Sequence, residues 1–258
     1  MKLDPYKYQA KACLEQSGYN VRLIAEEQDD KRADLLASCK TDSLIVEVKC
    51  KYDDLVLSQN LSKAGHHEML PYHAEIQRKN SLSSLIEEVS RQIEASKFLS
   101  KTAFGVLWFH PDPKIGFSDS DQQIRMTLYG GKYAFVDAPD GSHWTMPCYY
   151  TTYSDFYRYT SINAAALHVE EGVQLLPNPF SDRIDDFKQS TIYGDFSHHS
   201  SIWTPELLVA EGSALCLHGE IDLKDIGAVR AALEKQNPGY KIVQFVDMHS
   251  YGGVMNIE

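Results

Sequence analysis

The chain has 258 residues, with 36 acidic against 25 basic side chains and a formal net charge of −11. A chain of this length can bury one large core, alone or with a sizeable extension. It contains no apolar run of about 18 residues, so neither a membrane-spanning helix nor a membrane partner is expected. The N-terminal stretch lacks the apolar core of a secretory signal, and the five cysteines are scattered without a CxxC pair. These features predict reduced thiols in a cytoplasmic protein and argue against a zinc ribbon.

The acidic balance also bears on possible partners. Proteins bind nucleic acid largely by neutralising its phosphates with lysine and arginine. The charge of −11 therefore predicts weak intrinsic affinity for nucleic acid, or recruitment by a protein partner. A local basic groove, or metal ions that offset the acids at a site, would reduce this effect.

The first predicted elements are a helix and three strands. Residues 5–17 are expected to form a helix, with Asp4 as the N-cap, Pro5 at the first helical position and Gly18 as the stop. The strands, of which the second and third are joined by a tight turn, are predicted over residues 21–25, 33–38 and 44–50.

The register of the second and third strands makes a chemical prediction. If Ser38 pairs with Ser43 across a four-residue loop, Asp34 lies directly opposite Glu47, with the two Cβ atoms about 5 Å apart. Two carboxylates this close repel each other unless they share a proton or a cation. Lys49 follows two residues after Glu47 and so lies on the same face of its strand. The hairpin is therefore a candidate metal site.

The next stretch of chain alternates between irregular and regular patterns. Residues 51–80 are polar and read as an insertion, with a short helix expected near residues 55–64. Residues 81–100 have the clearest helical spacing of apolar residues, with Ser81 as the expected cap. Residues 104–110 form a continuous apolar run, which is typical of a buried strand.

Two adjacent glycines, Gly130 and Gly131, lie between alternating patterns and predict a hairpin over residues 122–138 that extends the same sheet. Beyond Pro139 the patterns are weaker. They predict a short helix within residues 162–176, a strand over 214–221, a helix over 223–236 capped by Asp222, and a last strand over 240–247.

Asp34, a twelve-residue gap and the triplet Glu47-Val48-Lys49 resemble the motif of the PD-(D/E)XK nuclease superfamily, which has the restriction-endonuclease-like fold. The family pattern is an aspartate at the start of one strand, a short hairpin, and Glu-x-Lys on the next strand. Ala33 stands here in place of the proline that precedes the family's aspartate, and this change leaves the ligand itself in place.

The resemblance also covers the order of elements over residues 1–110, a helix, three strands, a helix and a strand. It implies an α/β protein with a restriction-endonuclease-like mixed β-sheet flanked by helices. The expected organisation is a nuclease-like core over residues 1–138 and an α+β extension, packed on that core, over residues 139–258.

The resemblance implies a chemical role for each residue of the motif. Asp34, Glu47 and the carbonyl of Val48 would hold Mg²⁺, or Mn²⁺, a hard ion that prefers oxygen ligands. Lys49 would position or help to deprotonate the attacking water. The alternative is an exposed hairpin on which Glu47 and Lys49 form an ordinary surface ion pair.

Two further residues are candidates by the same resemblance. Glu15 lies on the first helix, where some relatives supply an additional acid, although a solvated glutamate explains it as well. Gln92 matches a glutamine that touches the site in one branch of the superfamily, and Ser96 stands where that branch has a tyrosine. A glutamine on an amphipathic helix is also commonly just solvated.

The resemblance therefore implies a metal-dependent nuclease that acts on DNA rather than RNA, as a homodimer. The net charge makes a recruiting protein the other expected partner. Two rivals remain open: a module that keeps the fold without cleaving, and a hydrolase of small phosphoesters. A zinc site at His66, His67, Glu68 and His73 lacks an established ligand spacing. The aromatic residues between 149 and 159 are expected to pack rather than to stack on bases.

Overall fold

The structure is a computed structural model that describes residues 4–25, 31–50, 70–76, 78–110, 117–247 and 249–254. Within these ranges the chain forms two mixed sheets flanked by helices, as predicted for an α/β chain, and a separate two-stranded sheet. The strands are β1 Asn20–Leu23, β2 Leu35–Ser38, β3 Ser43–Cys50, β4 Leu70–Glu75, β5 Phe104–His110, β6 Gly131–Asp137, β7 His143–Tyr150, β8 Ile162–Val169, β9 Gly172–Pro177, β10 Leu215–Leu217, β11 Lys241–Val246 and β12 His249–Val254. The helices are α1 Pro5–Gln16, α2 Asn80–Ser96, α3 Phe117–Leu128, α4 Asp155–Arg158, α5 Ile184–Phe187, α6 Thr191–His198, α7 Pro205–Ala210 and α8 Ile226–Gln236.

The first sheet has six strands in the order β1-β2-β3-β5-β8-β9. The first three strands form an antiparallel meander, β3, β5 and β8 run parallel, and β9 returns antiparallel to β8. Every residue of β5 is buried, which explains its uninterrupted apolar sequence. The α2 helix supplies the long connection that a parallel pair such as β3 and β5 requires.

Helices cover both faces of this sheet. On one face α1 packs through Ala10 and Leu14, and its start is capped by Asp4, whose side chain accepts a hydrogen bond from the Tyr6 amide at 2.9 Å. On the other face α2 packs through buried residues at helical spacing, among them Ile86 and Ile93. The predicted helix over residues 5–17, with its Asp4 cap, is confirmed to within one residue.

The second sheet has four strands in the order β10-β7-β6-β11. One face packs against α8 through Val229 and Leu233. The other face shares a core with α3. In this core Tyr133 and Tyr149 pack with apolar residues of α2 and of the first sheet. A separate pair of antiparallel strands joins β4 to β12. No helix in the described ranges combines the length and the apolarity needed to cross a bilayer.

The hairpin predicted over residues 122–138 is wrong. The segment before Gly130 is the end of α3, and Gly131 starts β6, which lies in the second sheet rather than the first. Side chains on most sides of α3 are buried, so its sequence lacks the one-sided periodicity that identifies a helix. Gly130 has φ +69° and ends the helix instead of turning a hairpin.

The helix predicted within residues 162–176 is also wrong, because this segment forms the hairpin of β8 and β9. Alanine favours helices, and three alanines follow one another at 164–166. Their side chains are small enough for the crowded centre of the sheet, where all three are fully buried. Tertiary packing overrides local propensity here.

The helix starts shift by a few residues from their predictions. The second helix begins at Asn80 with Lys79 at its N-cap position, in place of Ser81. The last helix begins at Ile226 and is capped by Asp225 rather than Asp222.

The two sheets do not divide the chain at residue 138. Strands β8 and β9, from the predicted extension, complete the first sheet, whereas β6, from the predicted core, belongs to the second. Within the predicted insertion at 51–80, residues 70–75 form β4. The short helix expected near residues 55–64 lies outside the described residues.

Candidate functional site

The hairpin of β2 and β3 has the predicted register. Ser38 pairs with Ser43 and Leu35 pairs with Val46. The paired residues end at Leu35, and Asp34 lies just before them, with its amide donating to the Val46 carbonyl at 3.1 Å. The two carboxyl groups therefore stand at the same end of the hairpin, as the sequence predicted.

Two groups from different elements hold the Asp34 carboxylate. Its Oδ2 accepts a hydrogen bond of 2.8 Å from the backbone amide of Val48. Its Oδ1 forms an ion pair with the Nζ of Lys7, which lies on α1. Val48 thus contacts the acid through its amide, and its side chain packs in the core on the α1 face of the sheet. Sequence reasoning did not identify Lys7.

The Glu47 side chain is buried, with 2% of the residue exposed. Its Oε1 pairs with the Nζ of Lys49 at 2.7 Å, and Lys49 remains 19% exposed. The second oxygen, Oε2, is buried and has no hydrogen-bond partner among the described residues. A buried acceptor without a partner is costly, so this atom marks a place where a proton or a cation would be stabilised.

Burial, and second to it the neighbouring charge of Asp34, raise the pKa of Glu47 to about 8 against the attraction of Lys49 and Lys7. Desolvation disfavours the charged form of a carboxyl group, and a second carboxylate nearby has the same effect. Without a cation, Glu47 therefore holds a proton at neutral pH. Lys49 lies at the solvent side of this buried acid.

We expect the stability of the folded protein, measured without divalent cations, to fall as the pH rises from about 5 to about 8. The pKa of Glu47 is higher in the folded state than its ordinary value of 4.5, so the folded state binds more protons across this window. The loss should be on the order of a few kcal/mol. Urea denaturation at several pH values measures it.

The Glu47→Gln variant should lose most of this pH dependence, because its side chain cannot titrate. Glu94→Gln, which changes an exposed acid on α2, should retain it. An unchanged slope in Glu47→Gln would contradict the raised pKa.

Ser96 fixes the backbone next to the acids. Its hydroxyl accepts a 2.8 Å hydrogen bond from the Ala33 amide and donates one of 2.8 Å to the Gln92 carbonyl. Ser96 is fully buried, and Ala33 directly precedes Asp34. The end of α2 thereby holds the start of β2 in place.

We expect Ser96→Ala to destabilise the protein by about 1–3 kcal/mol, because the buried Ala33 amide loses its acceptor. Chemical denaturation measures this loss. Ser84→Ala is the matched control: Ser84 is an exposed serine on the same helix whose hydroxyl also donates to the carbonyl four residues earlier. It should change stability by less than about 0.5 kcal/mol. Equal losses of stability in both variants would contradict the proposal that the Ser96 hydroxyl holds the start of β2 in place.

Gln92 lies on the row of α2 that faces the hairpin. The row continues one turn earlier with Glu88, which accepts a 2.9 Å hydrogen bond from Lys31. This bond, with the positive charge of Lys49, holds the pKa of Glu88 below its usual range. Gln92 therefore lies between Glu88, which is influenced by Lys49, and Ser96, which bonds to the Ala33 amide. The buried Oε1 of Gln92 has no partner within the described ranges.

Glu15 is not brought to the other candidates. Its carboxylate pairs with Lys11 at 2.9 Å on the surface of α1. Lys7, the residue of α1 that reaches Asp34, lies eight residues earlier, or about 12 Å along the helix axis. Lys7 precedes the buried Ala10 by three residues, so the two residues lie on the same, sheet-facing side of the helix. This spacing was the sequence signal that could have identified Lys7.

The donors at the hairpin fit a hard divalent cation. Magnesium is commonly bound by one or two carboxylates and keeps several water ligands. Asp34 and Glu47 supply two carboxylates, and the unpartnered Oε2 of Glu47 is an available oxygen ligand. Across the described ranges, no group of three or more histidine, cysteine, aspartate or glutamate side chains is gathered to hold a metal. His66, His67 and Glu68 lie outside those ranges.

The likeness to the PD-(D/E)XK superfamily rests on Asp34, Glu47, Lys49 and the elements that carry them, and it stays a prediction. The structure brings these three residues together and adds Lys7 to them. Comparisons of this chain with models of known protein families, with curated proteins and with solved structures gave no match.

Proposed function

We propose that this protein is a divalent-metal-dependent nuclease with a restriction-endonuclease-like core that hydrolyses phosphodiester bonds, in DNA rather than RNA. The observation that carries the proposal is the buried Oε2 of Glu47, which lacks a partner among the described residues and lies beside Asp34 and Lys49. The order of elements around the site, an antiparallel meander followed by α2 and the parallel strand β5, supports it further.

Each side chain has a role that follows from its position. Asp34 and Glu47 would hold Mg²⁺ or Mn²⁺, with Asp34 oriented by the Val48 amide. A cation bound there supplies an acidified water and neutralises charge that develops on the phosphate. Lys49, paired with Glu47 and partly exposed, would orient the attacking water and stabilise the transition state. Gln92 would contact the site from α2.

The proton on Glu47 links metal affinity to pH. A cation needs the deprotonated carboxylate, so binding at neutral pH must release this proton. Affinity should therefore increase as the pH approaches about 8, the pKa of Glu47. The partly exposed ammonium of Lys49 leaves a positive group for the phosphate at the edge of the site.

The direct experiment incubates the protein with plasmid, linear and single-stranded DNA and with RNA, with and without Mg²⁺ or Mn²⁺. Metal binding is titrated on the same sample by calorimetry. Cleavage that requires the metal supports the proposal. Metal binding without cleavage of any of these substrates argues against the nuclease activity, and the absence of both metal binding and cleavage favours the second candidate.

The second candidate is a binding or assembly module that keeps this fold without cleaving. It is favoured by the lysines at the site, since Lys7 neutralises Asp34 and Lys49 pairs with Glu47. A site with two acids and two lysines can be stable without a cation. The net charge of −11 also favours a protein partner over direct nucleic-acid binding. This module would bind Mg²⁺ weakly or not at all.

A further inference from the structure

A cavity of about 550 Å³ lies between the start of α2 and the second sheet. Arg78 and Asn80 line it at the beginning of α2, whereas Gln92 and Ser96, near the candidate metal site, occupy the other end of that helix. The cavity volume is within the range of about 300–1,000 Å³ found for small-molecule sites. It is therefore a separate place for a ligand.

Aromatic and aliphatic side chains form most of its wall. Tyr150 ends β7, Tyr153 ends the short 3₁₀ turn that follows, and Phe245 lies on β11. The Tyr150 ring is 6.5 Å from that of Tyr153 and 6.1 Å from that of Phe245, centre to centre. Ile226, at the start of α8, also lines the cavity and is 49% exposed. Such a wall suits a flat heterocyclic ring.

Arg78 is fixed at one side of the cavity. Its guanidinium pairs with the fully buried Asp155 at 3.0 Å and lies 4.6 Å from the centre of the Tyr153 ring. Asp155 offsets its charge, and Arg78 is itself almost completely buried. The Nε of Arg78 and the Oδ2 of Asp155 both lack partners within the described part of the chain.

Two lysines contribute positive charge to the described lining of the cavity. Lys132 on β6 and Lys224, shortly before α8, both line it, and neither belongs to an ion pair within the described part of the chain. Asp247 is the one acid in the described lining. Because Asp155 already compensates Arg78, the two lysines and Asp247 together leave one net positive charge in the described lining. An anionic group is the matching ligand.

We propose that this cavity binds a nucleoside phosphate, with the base against Tyr150, Tyr153 and Phe245 and the phosphate at Lys132 and Lys224. The ligand is either a free mononucleotide or one unpaired nucleotide of a single strand, since both present the same base and phosphate. Aromatic side chains stack on any base, and lysine ammonium groups bind phosphate as point charges. The inference goes beyond the proposed nuclease and does not depend on the candidate metal site.

The experiment titrates the full chain in EDTA with AMP, adenosine, inorganic phosphate and an oligodeoxyadenylate of about ten nucleotides. AMP or the oligonucleotide should bind at least tenfold more tightly than adenosine or phosphate. Tighter binding of AMP identifies a free nucleotide, and tighter binding of the oligonucleotide identifies a strand. Absence of AMP and oligonucleotide binding, or equal affinity for adenosine and AMP, would overturn the proposal.

Variants locate the binding. The double change Lys132→Gln and Lys224→Gln should weaken AMP binding about tenfold without affecting adenosine, and Phe245→Leu should weaken both. Lys241→Gln, an exposed lysine on β11 outside the lining, is the control. Binding that survives the double change and Phe245→Leu would place the ligand elsewhere. Lys49→Ala should bind AMP as the unchanged protein does, which separates this test from that of the nuclease.

Discussion

Replacing Lys49 with alanine is expected to lower metal-dependent cleavage at least a hundredfold while the protein stays folded. The Nζ of Lys49 is 2.7 Å from the Glu47 carboxylate and reaches solvent, where it can meet the phosphate. Its loss removes from the transition state the ammonium group that β3 places beside Glu47. Initial rates of plasmid cleavage in saturating Mg²⁺ measure the effect, with circular dichroism as the check on folding.

Lys97→Ala is the matched control for this change. Lys97 pairs with Glu94 at 2.6 Å in an exposed salt bridge at the end of α2. Its replacement should leave the cleavage rate within about twofold, because an exposed ion pair contributes little. Equal rates for Lys49→Ala and the unchanged protein would rule out the assignment of Lys49. Glu47→Gln should match the loss in Lys49→Ala.

Gly130→Ala is expected to destabilise the protein by at least about 3 kcal/mol. The residue has φ +69°, which costs a residue with a Cβ roughly 1–2 kcal/mol. A Cβ at this position would also lie 2.5 Å from the backbone of Tyr153 and of Ser154, so the chain must shift. Thermal or urea unfolding measures the loss.

Gly141→Ala separates the two contributions. Gly141 has φ +83°, but a Cβ added there would meet no described atom within 4 Å, so only the backbone cost applies. We expect a loss of about 1–2 kcal/mol there. If both variants lose the same stability, the close approach of Gly130 to the turn after β7 makes no contribution to the free energy of unfolding.

The hairpin that carries the candidate site could be predicted because its signals are local. Turn chemistry between Ser38 and Ser43 sets the register, and the register brings Asp34 and Glu47 to the same end of the hairpin. The same is true of α1, where Asp4 caps the first turn. These features depend on residues that are close in sequence.

The features that could not be predicted depend on contacts between distant segments. The α3 helix is buried on most sides, so its pattern resembles that of a strand, and Gly130-Gly131 beside it resembles a hairpin turn. Lys7 reaches Asp34 only because α1 packs across the meander. The raised pKa of Glu47 depends on burial that α2 and its neighbours complete. Neither periodicity nor spacing along the chain reports such contacts.

The order of strands in the first sheet has a consequence for how the chain folds during synthesis. β5 pairs with β3 on one side and with β8 on the other, and β8 begins at Ile162. A nascent chain that has not yet reached β8 presents β5, with Trp108 and Phe109, as an open edge. Exposed apolar edges recruit other strands and promote aggregation. A fragment of residues 1–138 should therefore aggregate, and the intact chain should fold slowly, because its central pairings join distant segments.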